Sequence, residues 1–132
     1  MNIKNDSEKF LNSKYLEIEG GQILNGSIEI SGAKNSALVL MAASILTKSQ
    51  INLFNVPRIS DVSIMSKILT AMGINIESNA NHLKINTSEV HNPSQELLFD
   101  LFHALRGSFF CIGPILARFG EAKIPLPGGC LI

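Results

Sequence analysis

The stretch Ser27-Ile28-Glu29-Ile30-Ser31-Gly32-Ala33-Lys34-Asn35-Ser36-Ala37-Leu38-Val39-Leu40-Met41-Ala42-Ala43-Ser44-Ile45-Leu46 changes period in its middle. Residues 27–30 alternate polar and apolar side chains, the two-residue repeat of a strand, and Ser31-Gly32 stops them. From Lys34 to Leu46 apolar side chains fall on nearly every face of a helix, which predicts a helix buried in the centre of a domain. A strand that enters a helix through a glycine turn opens an α/β unit.

Outward from that turn, residues 50–56 return to a strand pattern, and Pro57 breaks it. Val62, Met65, Leu69 and Met72 then recur at helical spacing, with Ser60 or Asp61 available as the N-cap and Gly73 as the C-cap. Residues 74–77 and 82–86 read as two further strands joined by the turn Ser78-Asn79-Ala80-Asn81. The order strand, helix, strand, helix, strand, strand occupies residues 26–88. A second copy is expected over 89–132, with Pro93 near the linker, a helix over 106–119 ended by Gly120, a strand over 122–126 and a Pro127-Gly128-Gly129 loop. A shift of 72 residues carries Lys34 onto Arg106 and Ser36 onto Ser108. The repeat is one of pattern rather than identity, and its second unit is incomplete. The expected fold class is therefore α/β, a partial domain over 15–132 built of repeated units and preceded by a polar extension over 1–14.

With 132 residues and 45% hydrophobic side chains, the chain can build a single core. Eleven Lys and Arg balance eleven Asp and Glu, which leaves no electrostatic footprint for general nucleic-acid binding or for a polybasic membrane surface. Any anion must be caught locally. The longest apolar run, 37–46, is far short of the roughly 20 residues of a spanning helix, and residues 1–14 are too polar for a signal sequence. Two cysteines, Cys111 and Cys130, fit neither a zinc pattern nor a disulfide framework, so the expectation is a cytoplasmic protein with no membrane or nucleic-acid partner.

Three positions carry candidate chemistry. Lys34, followed by Asn35, opens a helix after Gly32, where unpaired amides and the helix dipole favour an anion; the same residues also fit an ordinary helix start with a solvated lysine. Neither a P-loop nor a dinucleotide turn is present. Arg106 opens the second apolar helix and can grip a carboxylate or phosphate with two parallel hydrogen bonds, although alone it also reads as a surface cation. Cys130, in its glycine loop, is placed to act as an acid, base or nucleophile if a neighbouring cation stabilises its thiolate, or is incidental. Cys111 lies among Phe109, Phe110 and Ile112 and reads as a small buried hydrophobe. His82, His91 and His103 show no metal-ligand spacing, and no metal or other cofactor is expected.

These motifs, namely residues 26–38, Asn55-Val56-Pro57 with Asp61-Val62, Leu105-Arg106-Gly107-Ser108, and 113–120 running into Leu126-Pro127-Gly128-Gly129-Cys130, resemble the enolpyruvyl transferases, in particular the branch acting on UDP-N-acetylglucosamine. The resemblance implies transfer of the enolpyruvyl group of phosphoenolpyruvate to the 3-hydroxyl of UDP-N-acetylglucosamine, a step of peptidoglycan synthesis, without a metal. It implies phosphoenolpyruvate contacts for Lys34 and Asn35, a substrate contact for Arg106, and for Cys130 protonation of the enol methylene, covalent adduct formation and alkylation by fosfomycin. The shikimate branch of the family shares the fold but lacks the cysteine. Members are several times longer and two-domained, which implies that this chain corresponds to an N-terminal portion, inactive alone. The alternatives are a non-catalytic anion-binding fragment that complements a separately encoded polypeptide carrying the rest of the enzyme, or a shikimate-pathway enolpyruvyl transferase.

Overall fold

The computed structural model describes residues 18–21, 23–92 and 95–126. The extension over 1–14, Pro93, the 127–129 loop and Cys130 lie outside the described residues. Within them the order is α1 (Lys34–Ala43), a 3-10 turn (Ser44–Leu46), β1 (Gln50–Leu53), α2 (Ser60–Ala71), β2 (Asn75–Asn79), β3 (His82–Asn86), α3 (Gln95–Ala104), a second 3-10 turn (Arg106–Cys111) and α4 (Ile112–Phe119). The result is an α/β fold with one helix–strand–helix–strand–strand unit over residues 34–86.

The three strands form an antiparallel sheet in the order β1-β3-β2. Ile85 of β3 pairs with Ile51 on one side and Ile76 on the other, so three isoleucines cross the sheet in a row on its inner face. On the other face Lys84 reaches Glu77 at 3.2 Å across the β2–β3 pair. Alternation thus gives the sheet one dry side and one wet side.

Helices α1 and α2 supply the opposing wall. Leu38 and Met41 from the first, Ile45 from the 3-10 turn after it, and Met65, Ile68 and Leu69 from the second with its C-cap Met72 are buried with Ile74, Phe102 and Ile115. Cys111 is buried with its Sγ 3.7 Å from Met65 Sδ, as a small hydrophobe would be. The end of α2 is a complete Schellman motif: Gly73 at φ 84° donates to Thr70 O at 2.9 Å, and Ile74 donates to Leu69 O at 3.1 Å.

Several expectations are corrected. Residues 27–30 form no strand; they run free of any described neighbour, and a strand without a partner edge has no hydrogen bonds to define it. Helix α1 is buried on one face only, leaving Val39 and Leu40 exposed on the other. Neither Ser60 nor Asp61 caps α2, whose N-cap is Ile59 with no side-chain bond; Asp61 sits inside the first turn, where its charge favours the dipole. The hairpin turn is two residues rather than four, with Ala80 at φ 49°. Helix α3 was not anticipated, although Leu101, Phe102 and Leu105 recur at helical spacing. The single helix expected over 106–119 is broken into a 3-10 turn and α4. Pro114 explains the break, because its ring would clash with the carbonyl four residues back and is tolerated only in a first turn. Residues 122–126 are irregular rather than a strand.

Gly73 is irreplaceable by physical argument. Besides its positive φ, an added Cβ would lie 2.9 Å from the His91 ring and 3.0 Å from the Glu89 carbonyl oxygen. Gly73→Ala is therefore expected to cost about 1–2 kcal/mol, read as a lower urea midpoint with an unchanged slope.

Candidate functional site

The start of α1 is placed by a backbone contact. Gly32 N donates to Asn55 Oδ1 at 3.1 Å, and a Cβ on Gly32 would stand 1.8 Å from the Asn55 carbonyl oxygen. What the missing side chain of Gly32 makes room for is the Asn55 backbone. Asn55 takes φ 55°, a conformation asparagine tolerates, and the next residue's amide, Val56 N, donates to Asn81 O at 2.8 Å in the hairpin turn. Sheet, Asn55 loop and helix start are thus linked in series.

Lys34 and Asn35, the first residues of α1, and Arg106, at the start of the second 3-10 turn, line one cavity of about 620 Å³. Leu38, Asp61, Leu105, Phe109 and Leu126 complete much of its wall. Gly107 lets the 3-10 turn lie close to α1, since a Cβ there would meet Leu38 Cδ1 at 2.9 Å. A larger cavity of about 730 Å³ lies between α2 and the β2–β3 hairpin; it contains none of the three candidate residues and carries two cations of its own, Arg58 and Lys67. Cys130 lies outside the described residues, but Leu126, four residues before it, lines the smaller cavity.

Asp61 is a site residue that sequence reasoning treated only as a cap. Its Oδ2 stands 2.9 Å from Lys34 Nζ, with both side chains partly exposed. The hydrogen bond from Lys34 holds the Asp61 carboxyl below its ordinary value, opposed by desolvation and reinforced by the lysine's charge. The pair is present above the ordinary carboxylate range and is lost as pH falls through the lowered value. Helical position could have signalled it: a carboxylate in one first turn faces an ammonium in another. Asn35 and Arg106 make no side-chain hydrogen bond or ion pair among the described residues, so their polar groups are open to a ligand.

Arg118 was quoted within a motif and given no role, yet its guanidinium is a principal fastening of the framework. It donates to the carbonyls of Ile45 at 2.6 Å, of Thr47, and of Thr87 at 3.2 Å. Thr87 Oγ1 donates back to Thr47 O at 2.8 Å. The last turn of α4 is thereby fixed to the chain leaving α1 and to the end of β3.

Among the described residues no cluster of three His, Cys, Asp or Glu is placed to hold a metal, and no helix is long and apolar enough to cross a membrane. His82 stacks on Phe54 with ring centroids 4.5 Å apart, and His103 meets Phe99 edge-on at 4.9 Å.

The α/β module thus turns two cations and a carboxamide toward one cavity, a chemistry suited to a small anion. Residues 18–132 match the family described as EPSP synthase (3-phosphoshikimate 1-carboxyvinyltransferase), and the chain belongs to that family, the enolpyruvyl transferases. A UDP-N-acetylglucosamine 1-carboxyvinyltransferase of Prochlorococcus marinus is 51% identical over 89% of this chain and 25% of its own length. Another from that species is 55% identical over 89% of this chain and 27% of its own, and one from Parasynechococcus marenigrum is 47% identical over 96% and 28%. The chain thus spans about a quarter of the length of these curated relatives. The crystal structure of the enolpyruvyl transferase NikO from Streptomyces tendae shares the fold, with a TM-score of 0.66 over 80% of this chain and 24% of that one at 24% identity.

Two outcomes follow from this geometry. Gly32→Ala, which forces a methyl group into the Asn55 carbonyl, is expected to lower stability by about 1–3 kcal/mol in urea unfolding. Burial pushes the Cys111 thiol up to about 12. Because that value is raised on folding, the associated stability is full below the unfolded thiol's ordinary value of about 8.5 and is lost as pH rises toward the folded one. Unfolding midpoints measured from pH 8 to 11 should fall more steeply for the native chain than for Cys111→Ala.

Proposed function

We propose that these residues form the phosphoenolpyruvate-binding part of a UDP-N-acetylglucosamine 1-carboxyvinyltransferase, acting in the cytoplasm at a step of peptidoglycan precursor synthesis. The observation that carries this reading is the convergence of Lys34, Asn35 and Arg106, from segments 72 residues apart, on one cavity. Phosphoenolpyruvate bears a carboxylate and a phosphate, so it calls for two cations held apart. Lys34 supplies a point charge and Arg106 a planar fork, while the Asn35 amide donates a hydrogen bond. Asp61 keeps the Lys34 ammonium extended beside the cavity before the anion arrives. Relatives named for this reaction at 47–55% identity favour it over the shikimate branch.

In the proposed chemistry Cys130 delivers a proton to the methylene carbon of phosphoenolpyruvate, and positive charge develops at the adjacent carbon. The 3-hydroxyl of UDP-N-acetylglucosamine attacks that carbon and loses its proton to a base. Loss of a proton from the new methyl group then expels phosphate and restores the double bond, now on the sugar. A general acid typically contributes about 100- to 10,000-fold to such a step. No metal is required. The base and the contacts to the nucleotide are assigned to the part of the enzyme beyond these residues, and the repeat units over 26–88 and 89–132 to a shared internal architecture. A complementing polypeptide would supply that part if it is separately encoded.

Titration calorimetry with phosphoenolpyruvate tests the binding half: saturable binding is expected, weakened about 10- to 100-fold by Lys34→Met or Arg106→Met, in line with about 1.5–3 kcal/mol for a hydrogen bond to a charged group. Absence of binding at millimolar ligand would overturn it. The pure chain is expected to release no phosphate from phosphoenolpyruvate plus UDP-N-acetylglucosamine. Supplementing it with the remaining three quarters of the Prochlorococcus marinus relative should restore release, and Cys130→Ala should reduce that by at least about 100-fold.

A further inference from the structure

We propose that the larger cavity, between α2 and the β2–β3 hairpin, is a second ligand site, which takes a monomeric aliphatic carboxylate with its chain on the apolar walls and its head on Arg58 and Lys67. The proposal is independent of the phosphoenolpyruvate reading, which concerns the other cavity. Asp61 lines the smaller cavity and Ser60 the larger, so the two sites share only the first turn of α2.

The size is that of a small-molecule site. At about 730 Å³ the cavity falls within the range of roughly 300–1,000 Å³ that such ligands occupy. Val56, Val62 and Leu83, buried against the core, line it together with the more exposed Ile59 and Ile76. Every large apolar group in the lining is aliphatic. No aromatic ring, side-chain amide or carboxylate is present there, which offers a nucleobase nothing to stack on and suits an alkyl chain.

Charge selects the head group. In a chain with as many acids as bases, this cavity has two cations and no Asp or Glu. The ion pairs among the described residues use Lys34 and Lys84, and neither Arg58 nor Lys67 takes part in one. Ser63, Lys67 and Thr70 recur at spacings of four and three, so they form one polar stripe of α2 along the cavity. Arg58 stands two residues before that helix, and its planar fork matches a carboxylate with two parallel hydrogen bonds. A carboxylate head thus meets the cations and hydroxyls while its chain covers the aliphatic groups.

The same charges argue against a protein occupant. Val39 and Leu40, on the exposed face of α1, lie in a run without any charge, residues 35–47, as suits a surface on which other protein packs. Sealing Arg58 and Lys67 under protein would desolvate two charges that no acid in the cavity offsets. A ligand that brings its own negative charge supplies the missing partner.

Titration calorimetry of the full chain with octanoate and decanoate, each below its micelle concentration, provides the test. Saturable 1:1 binding is expected, with decanoate about tenfold tighter than octanoate, since each buried methylene contributes about three- to fourfold. Octan-1-ol, which has the same chain without the charge, should bind at least about tenfold more weakly than octanoate, and the double variant Arg58→Met, Lys67→Met should lose about as much. Both side chains are exposed, so the urea midpoint of that variant should stay unchanged. Lys34→Met should leave decanoate binding intact. Decanoate should shift the methyl resonances of Ile59, Ile76 and Leu83 and spare those of Leu38 and Leu105 in the smaller cavity. The inference is overturned by absence of saturable binding at millimolar decanoate, by equal binding of the alcohol or of the double variant, or by shifts at Leu38 and Leu105 instead. Co-sedimentation with vesicles of phosphatidylcholine and phosphatidylglycerol, lost in the double variant, would assign the cations to a membrane surface and overturn it too. So would loss of decanoate binding once the remaining three quarters of the Prochlorococcus marinus relative is bound, because protein would then fill the cavity. Decanoate binding by a chain that takes up no phosphoenolpyruvate would count against the functional reading above and leave this site standing.

Discussion

Among the described glycines the tightest site is Gly32, where the carbonyl of Asn55 leaves no room for a side chain. The Lys34 side of the site is hung from it. The hairpin turn holds Val56, the Asn55 loop holds Gly32, and two residues later Lys34 begins the helix. A single hydrogen bond is worth only about 0.5–1.5 kcal/mol, so it is the steric fit that gives the link its stiffness. A lysine on a free strand-to-helix linker would sweep a wide volume; here it meets Asp61 at 2.9 Å.

The two ends of α1 are treated oppositely, and both treatments agree with its dipole. Its N-terminus opens into the cavity, where unpaired amides and two nearby cations favour an anion. Past its C-terminus the chain continues into the 3-10 turn, where Arg118 donates to the carbonyls of Ile45 and, just beyond, Thr47. The guanidinium suits that task because its planar fork serves several carbonyls at once, which an ammonium could do only by rotating among them. With zero net charge overall, the chain has no general field for anions, and the local arrangement is what bears on the proposed anion site.

How much of this was legible in the sequence varies with how local the cause is. The α2 helix, its glycine end and the two following strands were legible because period and turn residues act within a few positions. Lys34 and Arg106 were legible as cations at turns into helical segments, and the fold brings both to one cavity. Residues 27–30 misled because alternation reports that a strand would be amphipathic, not that an edge is available to pair with. The exposed face of α1 has the same origin, since Val39 and Leu40 specify burial and leave open what covers them. Pro114 was in plain view, and reading a single helix through it overlooked the clash with the preceding turn.

The sequence by itself determined the α/β character and the residue types at the helix starts, because these are written in short-range spacing, and it carried the family in the resemblance of its motifs. Only the tertiary structure decided that Gly32 serves a backbone contact, that Asp61 belongs to Lys34, and that Arg118 binds three carbonyls from distant segments. Those roles depend on which side chains meet after the chain has closed on itself. Contacts between residues 23 to 73 positions apart have no period to betray them.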